Sequence, residues 1–224
     1  RQETNVGMLR NFECALGLSA KNYVLALGGD DALMPGALKK MYEIITSKSL
    51  DLLTWPTATF YYPGTTSKNA QIVFPRLKLN GNCEWVESKS FLNRQANELM
   101  YVSDIDCPMI YVKALVSRSL VERVKARGNG LFYSSSTPDG FSGIVLAGEV
   151  NGYYRVNSIL AIHGISPTSQ GLNYVTSQGT KNNLSSKFFG DSSRQPMHPE
   201  LAAAAYSPLI SLMTADFLLT AKSL

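Results

Sequence analysis

Two adjacent carboxylates, Asp30 and Asp31, are the side chains of this chain best suited to chemistry. They follow the apolar residues 23–27 through Gly28 and Gly29. The apolar run is short enough for a buried strand, and the glycines let a ligand approach the backbone closely. Carboxylate oxygens suit Mg²⁺ or Mn²⁺, which usually share their coordination shell with phosphates. The pattern predicts a cation site at a strand end, with a helix N-cap as the alternative role of either aspartate.

Two helices are expected on either side of that strand. Residues 7–20 place Leu9, Phe12 and Leu16 at helical spacing, with Asn5 available as a cap. After the aspartates, Pro35 lies near a second helix start. The second helix has an apolar stripe at i, i+3, i+4 and i+7, formed by Leu38, Met41, Tyr42 and Ile45. This order of helix, strand, acidic turn and helix favours an α/β protein, whose ligands bind at strand ends.

The rest of the chain predicts a mixed α/β fold without an internal repeat. Residues 50–74 are rich in β-branched and aromatic residues and predict two or three strands. Helical spacing predicts three more helices, at residues 87–101, 112–127 and 139–150. A strand at residues 153–162 and a polar loop at residues 166–190 then precede a segment of helical composition, residues 198–224, with a break at Pro208.

Composition limits the class of protein. With 224 residues, 45% of them hydrophobic, the chain can form one domain or two small ones. A net charge of +4 suits an anionic ligand such as a phosphate, and it is too small for a nucleic-acid binder. The spacing of Cys14, Cys83 and Cys107 suggests neither a disulfide framework nor a zinc site. No apolar run reaches the ~18 residues of a membrane span.

Spaced positions in roughly the first 45 residues match one known family. They include Asn5, Gly7, Asn11, the pair Asp30-Asp31 and the run Pro35-Gly36-Ala37-Leu38. In these positions the chain resembles the middle of a family 2 glycosyltransferase of the GT-A fold, in which an N-x-G and Asn-bearing helix leads into an acidic metal-binding motif. That motif is commonly D-x-D followed by a further Asp. Here Gly28 stands in the first acidic place.

The resemblance implies a fold and a domain organisation. It implies a GT-A-like, Rossmann-related mixed sheet flanked by helices, with a helical C-terminal segment. Residues 1–165 would be part of the catalytic domain, and residues 166–224 a polar loop and helical extension packed on it. A nucleotide-binding portion would precede Arg1, because a βαβ unit takes ~30 residues and the residues before Asn5 cannot supply one. The chain is therefore expected to be a fragment that is inactive alone.

The resemblance also implies an activity. The enzyme would transfer a sugar from a nucleotide-diphospho-sugar donor to an acceptor hydroxyl with inversion, in glycan or polysaccharide biosynthesis. The implied cofactor is a divalent cation, Mn²⁺ or Mg²⁺, and its implied ligands are Asp30, Asp31 and His163. The implied donor-binding residues are Asn5, Gly7, Asn11, Gly29 and Asp30.

Direct displacement also needs a carboxylate that removes the acceptor proton. Asp139 lies after a polar loop at a predicted helix start and matches the family's catalytic position; it could equally cap that helix. The substitutes for this role are Glu149, Glu84 and Glu87. His163 ends an apolar strand, where it could reach the metal or the diphosphate, or serve as a structural histidine.

Two further features compete with this interpretation. Asp104-Ile105-Asp106 is the other D-x-D sequence, and it is predicted to be a loop because it follows a helix rather than a buried strand. Basic residues on the predicted helix 112–127 could contact an anionic membrane surface or a phosphorylated acceptor, or form a solvated face. These residues are Lys113, Arg118, Arg123, Lys125 and Arg127.

The expected partners are the donor, a glycan or lipid-linked acceptor, and a second copy of the chain, without nucleic acid. The expected location is the cytoplasm, at the inner face of the membrane. The alternative function is a non-catalytic GT-A-like module that binds a glycan or a partner, or one part of a split enzyme. A nucleotidyltransferase is a weaker alternative, because it should carry a Gly-rich, basic phosphate loop that this sequence lacks.

Overall fold

The computed structural model describes residues 3–4, 6–135, 137–169, 196–201 and 209–224. Six α-helices lie within these residues: α1 Met8–Leu18, α2 Ala37–Lys48, α3 Ser88–Glu98, α4 Arg118–Arg127, α5 Pro138–Gly148 and α6 Ile210–Ser223. A single 3₁₀ turn, Pro199–Leu201, lies between α5 and α6 in this part of the chain.

Nine strands lie within the same residues: β1 Tyr23–Val24, β2 Ala32–Leu33, β3 Leu52–Thr54, β4 Ala58–Tyr61, β5 Gln71–Val73, β6 Cys83–Glu87, β7 Ala114–Ser117, β8 Gly152–Val156 and β9 Ala161–Ile165. They form a five-stranded sheet in the order β1-β7-β3-β8-β6 and a four-stranded sheet in the order β2-β9-β4-β5. Each sheet is mixed: β3 pairs parallel with β8, and β4 parallel with β9. The predicted mixed α/β fold is confirmed, with two sheets.

The five-stranded sheet has a hydrophobic core on each face. Leu52 of β3 belongs to the larger cluster with residues of α3, α4, α5 and α6. The next residue, Leu53, belongs to the smaller cluster with residues of α2. Because successive strand residues point to opposite faces, the sheet lies between the two groups of helices. Central strands buried in this way need no polar alternation, which is why β3 and β7 each carry a single polar residue, at the strand end.

The second helix forms as predicted, but it packs through a different stripe. Its buried residues are Ala37, Met41 and Ile45, which repeat every four positions. Leu38 and Tyr42 belong to the predicted stripe, yet they are 65% and 66% exposed. The prediction was wrong for those two because the helix begins at Ala37, whose small side chain faces the sheet.

The predicted helix over residues 112–127 is only partly correct. Residues Ala114–Ser117 form β7, which lies between β1 and β3 and is buried along its whole length. The helix α4 begins at Arg118, where the Ser117 hydroxyl accepts a hydrogen bond from the N–H of Leu120 at 3.1 Å. The apolar spacing of this segment fits a helix and a strand buried on both faces equally well. Pairing with β1 on one edge and β3 on the other makes residues 114–117 a strand.

The predicted single strand over residues 153–162 is two strands in different sheets. β8 ends at Val156 in the five-stranded sheet, and β9 begins at Ala161 in the four-stranded sheet. Residues 157–160 cross between the sheets, and the carbonyl of Leu160 accepts a hydrogen bond from the N–H of Met34. This crossing brings the end of β9 beside the acidic turn.

The remaining elements agree with prediction where the structure describes them. The helices α1, α3 and α5 form in the predicted places, and residues 50–74 contain β3, β4 and β5. Residues 170–190 of the predicted polar loop, and the predicted break at Pro208, lie outside the described residues. The C-terminal helix α6 packs against α5 and α3. The division of the chain at residue 165 stays a prediction.

Candidate functional site

The acidic turn lies beside Tyr111. The strand predicted over residues 23–27 is shorter than expected: β1 has two residues, and Ala26 then forms a single bridge with Tyr111. The N–H of Ala26 donates to the carbonyl of Ile110 at 3.1 Å. The turn closes with a hydrogen bond from the N–H of Asp31 to the carbonyl of Gly28 at 3.3 Å. The turn is thereby fixed to the segment that precedes β7.

Asp31 is buried and fully hydrogen bonded. Its side chain is 0% exposed. Its Oδ1 accepts from the N–H of Gly164 at 2.9 Å and lies 3.0 Å from Nδ1 of His163, while Oδ2 accepts from the N–H of Gly28 at 2.7 Å. Burial alone would raise the pKa of Asp31, but these hydrogen bonds and one from the Tyr111 hydroxyl lower it below its usual value. Asp31 is therefore ionised at neutral pH.

Asp30 is half-buried and carries a carboxylate that no Lys or Arg of the described residues neutralises. Its carbonyl oxygen lies 3.3 Å from the Tyr62 hydroxyl. Neither aspartate caps α2, because the N-cap residue is Gly36. The alternative role as a helix N-cap was therefore wrong for both.

His163 is held by Asp31 through one ring nitrogen. Because an ionised carboxylate only accepts hydrogen bonds, Nδ1 carries the proton in this pair. The ring also meets the Tyr111 ring edge to face, with centroids 6.2 Å apart. The side chain is 37% exposed. A histidine oriented by a carboxylate in this way presents Nε2 either as a metal ligand or, when protonated, as a donor to an anion.

Asp139 lies in the first turn of α5, whose N-cap residue is Thr137. Its Oδ1 atom is buried and has no hydrogen-bond partner among the described residues. Burial raises the pKa of Asp139 to about 6; the charge of His163 lowers it, and the charge of Asp31 raises it further. These couplings place Asp139 near the Asp31–His163 pair. A carboxylate with this pKa can accept a proton near neutral pH.

The C-terminal helix α6 positions the segment that leads to Asp139. Asp216 is 2% exposed and accepts hydrogen bonds from the Ser135 hydroxyl and the N–H of His198, each at 2.6 Å. A Cβ on Gly140 would lie 2.3 Å from Phe217 and 2.6 Å from Tyr101. Only glycine therefore lets α5 approach α6 so closely. Sequence reasoning missed Asp216, although a carboxylate within an apolar helix is a usable signal of a buried partner.

Tyr111 is the second functional residue that sequence reasoning missed. Its hydroxyl lies where a side chain on Gly28 would start. Burial, and then the negative charge of Asp31, raise the pKa of Tyr111 above its usual value, so its hydroxyl stays protonated. No sequence signal marks Tyr111, because its role depends on the packing of the acidic turn against residues 110–112.

The predicted donor-binding residues are only partly described. Asn5 lies outside the described residues. Gly7 is the N-cap residue of α1, and Asn11 is exposed on the same helix. The helix α1 borders the site, because the Phe12 ring packs against the Tyr111 ring at a centroid distance of 6.2 Å. Gly29 is exposed in the acidic turn. Donor binding by these residues stays a prediction.

The competing D-x-D sequence is a loop, as predicted, and it is surrounded by cations. Asp104 pairs with Arg94 at 3.1 Å, and Asp106 pairs with Arg94 at 2.6 Å and with Arg155. The substitutes proposed for Asp139 also have local partners: Glu84 pairs with Arg155, Glu149 with Arg127, and Glu87 accepts from Ser90. His198 accepts a hydrogen bond through Nδ1 from the N–H of Glu200, as expected for a capping role.

The predicted basic helix face is largely neutralised. Lys113 precedes β7 instead of lying on a helix; it is buried, and its Nζ donates to the carbonyl of Asp104 at 3.2 Å. The other four basic residues lie on α4 and form ion pairs, which are Arg118–Glu122, Arg123–Asp51, Lys125–Glu13 and Arg127–Glu149. Among the helices that the structure describes, none combines the length and the hydrophobicity needed to cross a bilayer.

The predicted cation would have few protein ligands at the acidic turn. The described residues contain no cluster of three His, Cys, Asp or Glu side chains that could hold a metal ion. The Asp30 carboxylate and Nε2 of His163 are the groups with coordinating capacity left, whereas both oxygens of Asp31 already accept hydrogen bonds. This donor set fits Mg²⁺ or Mn²⁺, which usually take one or two carboxylates and complete their shell with phosphates and water.

Comparison with known proteins finds likenesses among solved structures. No family model matches the chain, and no curated protein matches it. Among solved structures, it is similar to S. aureus TarS 1–349 in complex with UDP-GlcNAc, with a TM-score of 0.47 and 15% sequence identity. The match covers 73% of this chain and 41% of that chain, so this chain spans less than half of that structure. The likeness concerns the course of the backbone only.

Proposed function

We propose that this chain is part of a glycosyltransferase that moves a sugar from a nucleotide-diphospho-sugar donor to an acceptor hydroxyl. The observation that carries the proposal is the half-buried Asp139, whose Oδ1 is buried without a hydrogen-bond partner among the described residues, together with its electrostatic coupling to the Asp31–His163 pair. Asp139 can accept a proton, and the Asp31–His163 pair can interact with an anion. Their combination is what a displacement at a sugar carbon requires.

In the proposed reaction Asp139 removes the proton from the acceptor hydroxyl. The acceptor oxygen bonds to the anomeric carbon as the bond from that carbon to the phosphate oxygen breaks, so a single displacement inverts the configuration. A pKa of about 6 leaves Asp139 ionised at neutral pH and still basic enough to assist. The proton ends on Asp139, and the negative charge leaves with the nucleoside diphosphate.

At the other end of the breaking bond, Asp30 and His163 would act on the departing diphosphate. Asp30 would hold a divalent cation, which would supply positive charge to the phosphate oxygens. Nε2 of His163 would serve as a further ligand or, when protonated, would donate to a phosphate oxygen. Asp31 orients His163, because both of its oxygens are occupied by hydrogen bonds. The acceptor is a glycan or lipid-linked saccharide, and the enzyme works at the cytoplasmic face of the membrane.

The test uses the complete protein with Mn²⁺ and a panel of UDP-, GDP-, dTDP- and CMP-sugars. Binding is measured by calorimetry, and turnover by the release of the nucleotide. Asp139→Asn should lower turnover by about 10²- to 10⁴-fold and keep Mn²⁺-dependent donor binding, whereas Asp30→Ala should lose that binding. Glu98→Gln, at the exposed end of α3, is the control that should change neither. Full turnover by Asp139→Asn would refute the proposed base. The anomeric configuration of the product, read by NMR, tests the inversion.

A non-catalytic module is the second candidate. It is favoured by the internal hydrogen bonding of Asp31 and by Gly28, which together leave Asp30 as the one uncommitted carboxylate of the turn. Equally weak donor binding by the unmodified protein and by Asp30→Ala, with no turnover, would support this module over the enzyme.

A further inference from the structure

The Tyr111 hydroxyl occupies the space above Gly28. A Cβ on Gly28 would lie 2.1 Å from the Tyr111 oxygen, 2.8 Å from Oδ2 of Asp31 and 3.1 Å from Oδ1 of Asp30. Real Cβ atoms essentially never come within 3.0 Å of another heavy atom, so any larger residue at position 28 displaces Tyr111 or Asp31. The Tyr111 hydroxyl therefore fits in its place only because residue 28 is a glycine.

The same hydroxyl is a neutral donor among carboxylates. Its oxygen and Oδ2 of Asp31 are neighbours, because they lie 2.1 Å and 2.8 Å from the same point, the Cβ position of Gly28. A hydrogen bond from Tyr111 is one of the causes that lower the pKa of Asp31, and the negative charges of Asp31, Asp139 and Asp30 all act on the hydroxyl. Asp31 thus receives hydrogen bonds from the Tyr111 hydroxyl, two main-chain N–H groups and Nδ1 of His163. This set holds the carboxylate in one orientation without adding a positive charge.

The Tyr111 ring has its own packing, which is separate from the hydroxyl. It meets the His163 ring edge to face and the Phe12 ring of α1 at a tilt, with centroids 6.2 Å apart in each case. Replacement by phenylalanine therefore removes the hydrogen bond and retains the ring contacts. The two contributions can be measured separately.

We propose that Tyr111 is a positioning residue of the transfer site, acting through Asp31 to hold His163 with Nδ1 protonated and Nε2 directed toward the donor's departing phosphate. The assignment rests on the proposed function for the identity of that phosphate. The chain of hydrogen bonds from Tyr111 through Asp31 to His163 does not depend on it. Gly28 belongs to the same unit, because it leaves room for the hydroxyl.

The first experiment compares Tyr111→Phe with the unmodified complete protein. Loss of the hydroxyl should lower kcat by roughly 10- to 100-fold, as is typical for partners of ligating histidines, with little change in KM for the donor sugar. The second readout is the His163 tautomer, measured by ¹⁵N NMR without substrate. The Nδ1–H form should dominate in the unmodified protein and lose its dominance in Tyr111→Phe. The chain has two histidines, so His198→Gln assigns the signals.

The second experiment is a double-mutant cycle that combines a larger residue at position 28 with loss of the Tyr111 hydroxyl. Gly28→Ala should reduce kcat and shift the tautomer in the same direction, because its Cβ displaces the hydroxyl. Combined with Tyr111→Phe it should cost little more than Tyr111→Phe alone. Gly17→Ala adds the same atom where nothing lies within 4 Å, and it should leave both readouts unchanged. Thermal unfolding of each variant separates misfolding from mispositioning.

An unchanged tautomer or an unchanged kcat in folded Tyr111→Phe overturns the proposal, as do independent, additive effects of Gly28→Ala and Tyr111→Phe. If the unmodified protein neither binds nor turns over any nucleotide sugar, the proposed function fails. The His163 tautomer, measured in the two single variants and the double variant, then still decides whether Tyr111 positions His163.

Discussion

The chain contains two close pairs of aspartates, and their surroundings are opposite. Asp104 and Asp106 lie against Arg94, and Asp106 also against Arg155. Asp30 and Asp31 meet main-chain N–H groups, a tyrosine hydroxyl and one imidazole, with no Lys or Arg paired to them in the described part of the chain. The first pair spends its charge on the fold. The second keeps a negative charge that no Lys or Arg of the described residues neutralises.

The two surroundings also differ in how much depends on each carboxylate. Arg155 is 8% exposed, so removing Asp106 leaves a buried cation whose remaining carboxylate partner, Glu84, is 51% exposed. The Asp30 carboxylate pairs with no Lys or Arg of the described residues, so its removal leaves none of these cations without a partner. The difference explains why a D-x-D sequence by itself does not identify a metal site.

The largest expected effect is on turnover, and it comes from replacing Asp139, the proposed base near Asp30 and Asp31. Asp139→Asn removes the proton acceptor and should lower kcat by about 10²- to 10⁴-fold, the usual contribution of general base catalysis. The unmodified enzyme should lose activity below a pKa near 6, because Asp139 becomes protonated there. A pH–rate profile of kcat checks this expectation, and an acidic limb that persists in the residual activity of Asp139→Asn would contradict it.

The next effect is on stability, in the first pair. Asp106→Ala should destabilise the protein by about 3–5 kcal/mol, because it leaves Arg155 buried without this partner. Asp30→Ala is the matched variant in the other pair and should cost less than about 1 kcal/mol. Urea unfolding of both variants measures the contrast. Equal destabilisation would remove the distinction drawn between the two pairs.

A smaller effect follows from the opposite pKa shifts of Asp139 and Asp31. The raised pKa of Asp139 favours the folded state fully below the usual aspartate value of ~3.9, and this contribution is lost as the pH rises to about 6. Asp139→Asn should therefore be more stable than the unmodified protein by about 2 kcal/mol at pH 8, with no difference near pH 4. Asp31 behaves oppositely: its lowered pKa stabilises the fold at neutral pH, and this is lost in acid.

Unfolding curves of Asp139→Asn and of the unmodified protein at pH 4 and pH 8 test the sign for Asp139. A stability difference for Asp139→Asn that does not change with pH would contradict the burial of an ionised carboxylate at that position.

The smallest expected effect comes from Glu84, an exposed residue that shares Arg155 with Asp106. Glu84 also pairs with Arg155, but its side chain is 51% exposed. Glu84→Ala should cost less than about 1 kcal/mol, because solvent screens such a pair. Comparison with Asp106→Ala, which removes the more buried partner of the same arginine, measures how much burial contributes. A larger loss for Glu84→Ala would reverse the assignment.

The sequence predicted elements where local signals agree, and it failed where tertiary contacts decide. Pro138 and Asp139 mark the start of α5 in the chain itself, and the helix forms there. The strand β7 was mistaken for a helix because its apolar run satisfies both periods until its neighbours are known. The placement of Asp139 near His163 required the crossing between the sheets, which has no signal in a single sequence.

The same distinction applies to the site. Asp30, Asp31, Asp139 and His163 could be selected by residue type and position, since each ends or begins a predicted element. Tyr111 and Asp216 could not be assigned roles in this way, because each acts through partners far away in the chain. Asp216, for example, holds Ser135 and the N–H of His198.

The path of the chain from α5 through β8 to β9 has a consequence for inheritance and for engineering. One uninterrupted stretch, residues 138–165, carries both Asp139 and His163. Asp139 and His163 are therefore inherited together in one segment, whereas the acidic turn with Asp30 and Asp31 comes from a distant part of the sequence. A recombined protein that receives residues 138–165 intact keeps Asp139 and His163 together. It then needs an acidic turn whose carboxylate can accept the hydrogen bond from the N–H of Gly164.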